Sequence, residues 1–113
     1  MHTRRYLVLQ RGIPGKTEPP SPAQMQEMYA AFTAWKDKFK AQIADMGAKL
    51  KTGGKILSAS GISDGPFIEA KEVVGGYMVV AADSYEEAIA VARECPGLMT
   101  PTSRIEIREI ATS

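Results

Sequence analysis

The stretch YMVVAA at residues 77–82 decides the fold, because apolar side chains follow one another in it without polar alternation. Successive side chains of a β-strand point to opposite faces, so this stretch predicts a strand that is apolar on both faces and lies inside a sheet. The stretch YLVL at residues 6–9 has the same character. Arg104–Arg108 instead alternates charge with isoleucine, which is typical of an edge strand with one face in water.

A long helix is predicted after the first strand. Ser21 is placed as N-cap, Pro22 as the first helical residue and Gln24 as the third, which together form a capping box. An apolar stripe follows at steps of three or four residues: Met25, Met28, Phe32, Trp35, Phe39, Ile43 and Met46. Gly47 is predicted as a left-handed C-cap, so the helix is expected to be about 37 Å long at about 1.5 Å per residue.

The remaining elements follow from the same reasoning. A strand is predicted over Lys49–Leu57, broken or bulged at Gly53-Gly54 and followed by a turn at residues 58–61. A second helix is predicted from Ser84, with Glu87 completing a second capping box. Its apolar face is predicted to continue through Ala88, Ile89, Ala92 and Cys95 until Pro96-Gly97 ends it.

The predicted order is strand, helix, strand, repeated once, which is typical of a ferredoxin-like α+β sandwich in a single domain over residues 1–113. In that topology the first and third strands lie inside the sheet and the second and fourth at its edges. Two helices cover only one face of such a sheet, yet the inner strands are apolar on both. The other face therefore needs a cover, most simply a second subunit, and a homodimer is predicted.

Composition excludes several classes of function. The 113 residues carry a formal net charge of +1, whereas nucleic-acid binding generally needs a clear excess of positive charge. No nucleic-acid partner is therefore expected. The longest apolar runs are too short for a membrane span or a signal peptide, so a cytoplasmic protein without a membrane partner is expected. With His2 and Cys95 as the single histidine and cysteine, neither an internal disulfide, a Ser-His-Asp triad nor a Cys/His zinc site is expected. No metal or cofactor motif is found.

The stretch SDGPFIEAKEVVGGY at residues 63–77 resembles the DGPF signature of the YCII-related family. The resemblance extends to Ser21-Pro22, Trp35, Asp83-Ser84 and the closing strand at Ile105–Arg108. It implies a dimeric α/β barrel in which two sheets pack face to face. Proteins of this family are largely without an assigned reaction. Their link to extracytoplasmic-function sigma factors rests on gene association only. A His-Asp pair has been proposed as catalytic in YCII-like proteins. The position of that histidine corresponds to a residue near Lys36 in this sequence.

The candidate site residues lie in and around this signature, and two interpretations remain open. In the first, Asp64-Gly65-Pro66 is a turn that anchors a loop, Phe67 plugs the core, and Lys71 pairs with Glu69 or Glu72 on the surface. In the second, Asp64 and Lys71 are catalytic and a pocket at the sheet edge binds substrate. The substrate-binding residues are then Trp35, Phe67, Glu69, Glu72 and Tyr77, and an enclosed carboxylate with a raised pKa acts as a general base.

Two classes of function therefore remain. The favoured one is a homodimeric module that binds a small molecule or a regulatory partner, with no cofactor. The alternative is an isomerase- or lyase-like enzyme that uses carboxylate and lysine chemistry without a metal or an internal histidine. The dense polar cluster from Asp64 to Glu72 indicates a site of some kind, whereas the lack of an internal histidine favours binding over catalysis.

Overall fold

The computed structural model describes residues 4–12, 21–51, 53–64, 73–98, 100 and 103–111. The elements in chain order are β1 (Arg4–Gly12), α1 (Pro22–Lys38), β2 (Ile43–Lys49), β3 (Lys55–Ser58), β4 (Gly61–Asp64), β5 (Val73–Ala82), α2 (Tyr85–Arg93) and β6 (Ser103–Glu109). Among the described residues, neither helix is long and apolar enough to cross a membrane.

Four strands form one antiparallel sheet in the order β2-β5-β1-β6. The two strands whose sequences are apolar on both faces, β1 and β5, are the inner pair, and the alternating strand β6 is at an edge. The predicted α+β class and the predicted placement of the inner and edge strands are confirmed.

The core lies between one face of the sheet and the two helices. Tyr6 and Val8 of β1 and Val80 of β5 are fully buried there, together with Val91 of α2. Trp35 of α1 is also buried, and its Nε1 donates a hydrogen bond to the backbone oxygen of Val91 at 2.9 Å. This hydrogen bond joins α1 to α2. The apolar stripe of the first helix predicts a core position for Trp35, and its burial confirms that prediction.

The opposite face of the sheet carries the alternate side chains of each inner strand. Leu7 lies opposite Val79 and Leu9 opposite Tyr77 in the β1–β5 register. Because side chains alternate, these residues point away from the helices that cover Tyr6 and Val8. The apolar residues of this uncovered face are Leu7, Leu9, Tyr77, Val79 and Ala81, all of them partly exposed.

The helix starts are close to those predicted. Ser21 Oγ accepts from the Gln24 backbone N at 3.2 Å and Gln24 Oε1 accepts from the Ser21 N at 2.9 Å, so the first capping box is confirmed. At α2, Ser84 Oγ accepts from the Glu87 N at 3.2 Å. The Glu87 carboxylate accepts from the Asp83 N at 3.0 Å, so the second box is only half formed.

The predicted end of the first helix is wrong. Helix α1 ends at Lys38, where Phe39 is the C-cap, and Ile43 and Met46 belong to β2. The register of β2 with β5 shifts twice, between Ile43 and Asp45 and again between Asp45 and Ala48. These irregularities put two core-packed side chains three residues apart, Ile43 and Met46, and so a strand reproduces the spacing of a helix.

Gly47 has the left-handed conformation that was predicted for it, with φ of +67°, but inside a strand instead of at a helix end. Its backbone N donates to Asp45 Oδ1 at 2.8 Å. A Cβ on Gly47 would lie 1.6 Å from the backbone oxygen of Tyr77 on the neighbouring strand. Glycine is therefore required here by close contact between two strands.

The predicted strand over Lys49–Leu57 is also wrong in position. Lys49 ends β2, and the later part of the stretch forms β3, which pairs with β4 in a separate two-stranded hairpin. The hairpin turn falls where it was predicted, between Ser58 and Gly61. Leu57 and Ile62 lie opposite each other in the hairpin and are 78% and 67% exposed.

Parts of the predicted helical stripes are exposed. The methionines of the first stripe are expected to fill gaps in the core or in the dimer interface. Met46 packs on the core, whereas Met25 and Met28 are about half exposed and do not, so for these two only the dimer interface stays a prediction. In α2 the buried face includes Val91, whereas the predicted Ile89 is partly exposed. Helix α2 ends at Arg93, so the predicted continuation to Pro96-Gly97 is wrong.

Candidate functional site

A cavity of about 310 Å³ lies between α1, the β2–β5 edge of the sheet and the loop after α2. Residues with apolar side chains line it from each bordering element, among them Phe32, Trp35, Met46, Met78 and Leu98. A volume of this size is at the lower end of the range for small-molecule sites in proteins. The cavity is therefore mostly apolar and of small-molecule size.

Two of the predicted binding residues, Trp35 and Tyr77, are brought together in this lining. Trp35 offers the cavity only its apolar ring, because its Nε1 donates to Val91. Phe32 packs beside it, with 5.4 Å between the ring centroids. Tyr77 borders the cavity as well, but it lies opposite Leu9 in the sheet register and is 39% exposed, which puts its side chain on the uncovered face.

The other predicted site residues are not placed by the structure. Phe67, Glu69, Lys71 and Glu72 lie outside the described residues. Asp64 is described only as the last residue of β4, and its side chain is outside the description. The predicted Asp64-Gly65-Pro66 turn and the convergence of Asp64 and Lys71 with Trp35 stay predictions.

Sequence reasoning missed two polar residues of the lining, Gln10 and Lys49. Gln10 donates from Nε2 to the backbone oxygens of Gly97 at 3.2 Å and Leu98 at 2.8 Å. A signal was present in the sequence, since Gln10 directly follows the apolar run of β1. Lys49 is exposed and carries the only formal charge among the described lining residues at neutral pH.

Cys95 also lines the cavity, where burial raises the pKa of its thiol from 9.0 to about 11. A thiol reacts as its thiolate, so this environment keeps Cys95 unreactive at neutral pH. The position of Cys95 directly before Pro96, at a predicted helix end, favours a packed apolar residue over a reactive thiol, and the direction of the pKa shift agrees with this prediction. No group of three or more His, Cys, Asp or Glu side chains that could hold a metal ion occurs within the ranges that the structure describes.

We expect iodoacetamide to alkylate Cys95 of the native protein slowly at pH 7–8, with a rate that rises until the pH approaches about 11. Because the folded-state pKa is raised, the protonated thiol favours folding below pH 9 and this contribution is lost as the pH rises towards 11. Mass spectrometry of timed samples measures the rate, with urea-unfolded protein as control. A native rate equal to the unfolded rate at pH 8 would contradict the burial of the thiol.

The fold and the site define a class: an α+β sandwich with a four-stranded antiparallel sheet, two helices and a small apolar cavity. The sequence model of the YCII-related domain matches residues 5–112, nearly the whole chain. The chain therefore belongs to the YCII-related family. No curated protein matches it.

Proposed function

We propose that the protein is a homodimeric module that binds a small, largely apolar molecule in the cavity beside Trp35. The observation that carries the proposal is the lining, in which apolar side chains from α1, β2 and β5 border a half-open volume that one ligand of one or two rings can fill. Burial of apolar surface supplies about 25 cal/mol per Å², so a ligand that packs against such walls gains affinity without a charged partner.

The polar groups of the site favour binding over catalysis. The Cys95 thiol is protonated at neutral pH, since its pKa is about 11. Trp35 Nε1 and Gln10 Nε2 are both engaged with backbone oxygens, so these groups hold the walls in place. Lys49, an exposed residue of the lining, is the cation that an acidic group on the ligand would contact.

An isomerase- or lyase-like enzyme is the second candidate, with Asp64 and Lys71 as its catalytic residues. One observation favours it. The signature segment lies in the chain between β4, which ends at Asp64, and β5. Gly76 of β5 lines the cavity. Catalysis would require these two side chains to reach a ligand held beside Trp35.

We propose that the second subunit of the dimer packs on the uncovered face, as in a dimeric α/β barrel. Leu7, Leu9, Tyr77 and Val79 are apolar, partly exposed and adjacent there. A strand spacing of about 4.8 Å and a rise of about 3.3 Å per residue give this face an area on the order of 500 Å². Stable interfaces bury about 800 Å² on each partner, so a further contact is needed.

The β3–β4 hairpin supports the same arrangement, because it can supply that further contact. An isolated two-stranded hairpin is marginally stable in water. This hairpin nevertheless exposes Leu57 and Ile62 side by side. Docking on a second copy would bury both side chains and add the missing area.

Binding in the cavity is tested with p-cresol and 4-methylanisole, two neutral one-ring probes, by thermal shift. A probe at about 100 times its dissociation constant stabilises the native state by about 2.7 kcal/mol, so we expect a raised melting temperature. We expect Met46→Trp, which fills the cavity, to abolish this rise. The matched control Met25→Trp changes an exposed methionine and should retain it. Absence of any rise in the unmodified protein would contradict the proposed function.

A further inference from the structure

The side chain of Gln10 is held in one orientation at the cavity wall. Its Nε2 donates to two backbone oxygens of the loop after α2, those of Gly97 and Leu98. Carbonyl oxygens only accept hydrogen bonds, so the amide nitrogen and not the amide oxygen must face them. Both N–H groups of the amide are then used, and Oε1 points elsewhere.

Oε1 is left as an acceptor next to Gly76, which has no side chain. Within the described ranges, no hydrogen bond of the structure uses this oxygen. It lies 3.7 Å from the position that a Cβ on Gly76 would occupy, and Gly76 has no side chain to fill that position. Gln10 and Gly76 both line the cavity, so a fixed acceptor stands in a wall whose other side chains, apart from Lys49, are mostly apolar.

We propose that Gln10 Oε1 selects the ligand, and that the cavity takes an apolar ring bearing one hydrogen-bond donor, the chemistry of a phenol or an indole. The inference rests on the proposed binding function and adds its specificity. Because the Gln10 amide is already held by its two hydrogen bonds, its side chain loses no conformational freedom when a ligand binds. A ligand that donates a hydrogen bond to Oε1 is then favoured over a ligand of the same shape that has no donor.

The experiment compares p-cresol with 4-methylanisole, which differ by methylation of the donor hydroxyl. Dissociation constants are measured by the fluorescence of Trp35, the only tryptophan of the chain, excited where the probes do not absorb. The ratio of the two constants in the wild type is compared with the ratio in each variant, because this comparison cancels the different hydration of the probes. We expect the preference for p-cresol to fall about 5- to 10-fold in Gln10→Leu.

Gly76→Ala is the second variant, because Gln10→Leu also removes the hydrogen bonds to Gly97 and Leu98. Alanine at 76 covers Oε1 and leaves those hydrogen bonds in place, with a 3.3 Å contact to the Ala48 backbone oxygen. We expect the same loss of preference. The control is Gly53→Ala, where a Cβ meets nothing within 4 Å and the ratio should equal that of the wild type.

The outcomes separate the two proposals. If both probes bind and the ratio is unchanged in Gln10→Leu and Gly76→Ala, the role of Gln10 is overturned while the binding function stands. If neither probe binds the wild type, the binding function fails and the inference fails with it. A preference for p-cresol that both variants remove supports the inference.

Discussion

Gly47→Ala is expected to remove a large part of the folding stability of the protein. The new Cβ would lie 1.6 Å from the Tyr77 backbone oxygen, 2.5 Å from the Tyr77 carbonyl carbon and 3.0 Å from the Met78 Cα. All three atoms belong to the backbone of an inner strand, so none can move without separating β2 from β5. The φ of +67° adds strain for any residue with a side chain. The loss should exceed about 4 kcal/mol, against a total of about 5–15 kcal/mol for a typical domain.

Urea unfolding followed by circular dichroism measures this loss. Gly53→Ala is the matched control, because its Cβ meets no atom within 4 Å, and it should unfold close to the wild-type midpoint. Gly47→Asn distinguishes the two interpretations of this residue. A helix C-cap tolerates asparagine, whereas the strand contact excludes every side chain. A Gly47→Asn protein of near wild-type stability would therefore show that β2 does not lie against Tyr77.

Val79→Glu is expected to convert the proposed dimer into monomers. Val79 is at the centre of the uncovered face, with Leu7 and Asp45 as its cross-strand neighbours. Neither neighbour can neutralise a carboxylate, and a buried charge without a partner costs about 3–5 kcal/mol. Two-fold symmetry places two such charges in one interface. In the monomer the same carboxylate faces water, so the chain should still fold.

Sedimentation velocity measures the outcome as a change from twice 12.2 kDa to 12.2 kDa. Tyr29→Glu places the same charge on α1, at a side chain that is 72% exposed, and should leave the dimer intact. Val79→Leu keeps the face apolar and should do the same. A folded wild-type protein that sediments at 12.2 kDa at high concentration would refute the dimer.

The inner strands and helix starts followed directly from local sequence. Tyr6–Leu9 and residues 77–82 are apolar on both faces, a pattern that only an inner strand of such a sheet accounts for. Ser21 marks its helix because its side chain satisfies a backbone N–H three residues away. Each of these features depends on residues that are neighbours in the chain, so the sequence contains the whole signal.

The candidate site was only partly predictable. Trp35 and Tyr77 were recognised as large aromatic residues on apolar segments, and both line the cavity. Gln10 was missed because its role depends on Gly97 and Leu98, which are 87 and 88 residues away in the chain. The residues of the signature segment beyond Asp64 are recognisable by resemblance, and their contacts remain predictions.

The sequence by itself determined the α+β class, the order of the inner and edge strands, and the apolar character of the uncovered face, since these depend on local periodicity. Only the tertiary structure decided that α1 ends at Lys38 and that Ile43–Lys49 is a strand. The spacing of Ile43 and Met46 fits a helix and a bulged strand equally well. The choice between them comes from β5, whose backbone pairs with β2 and leaves no room for a side chain at Gly47.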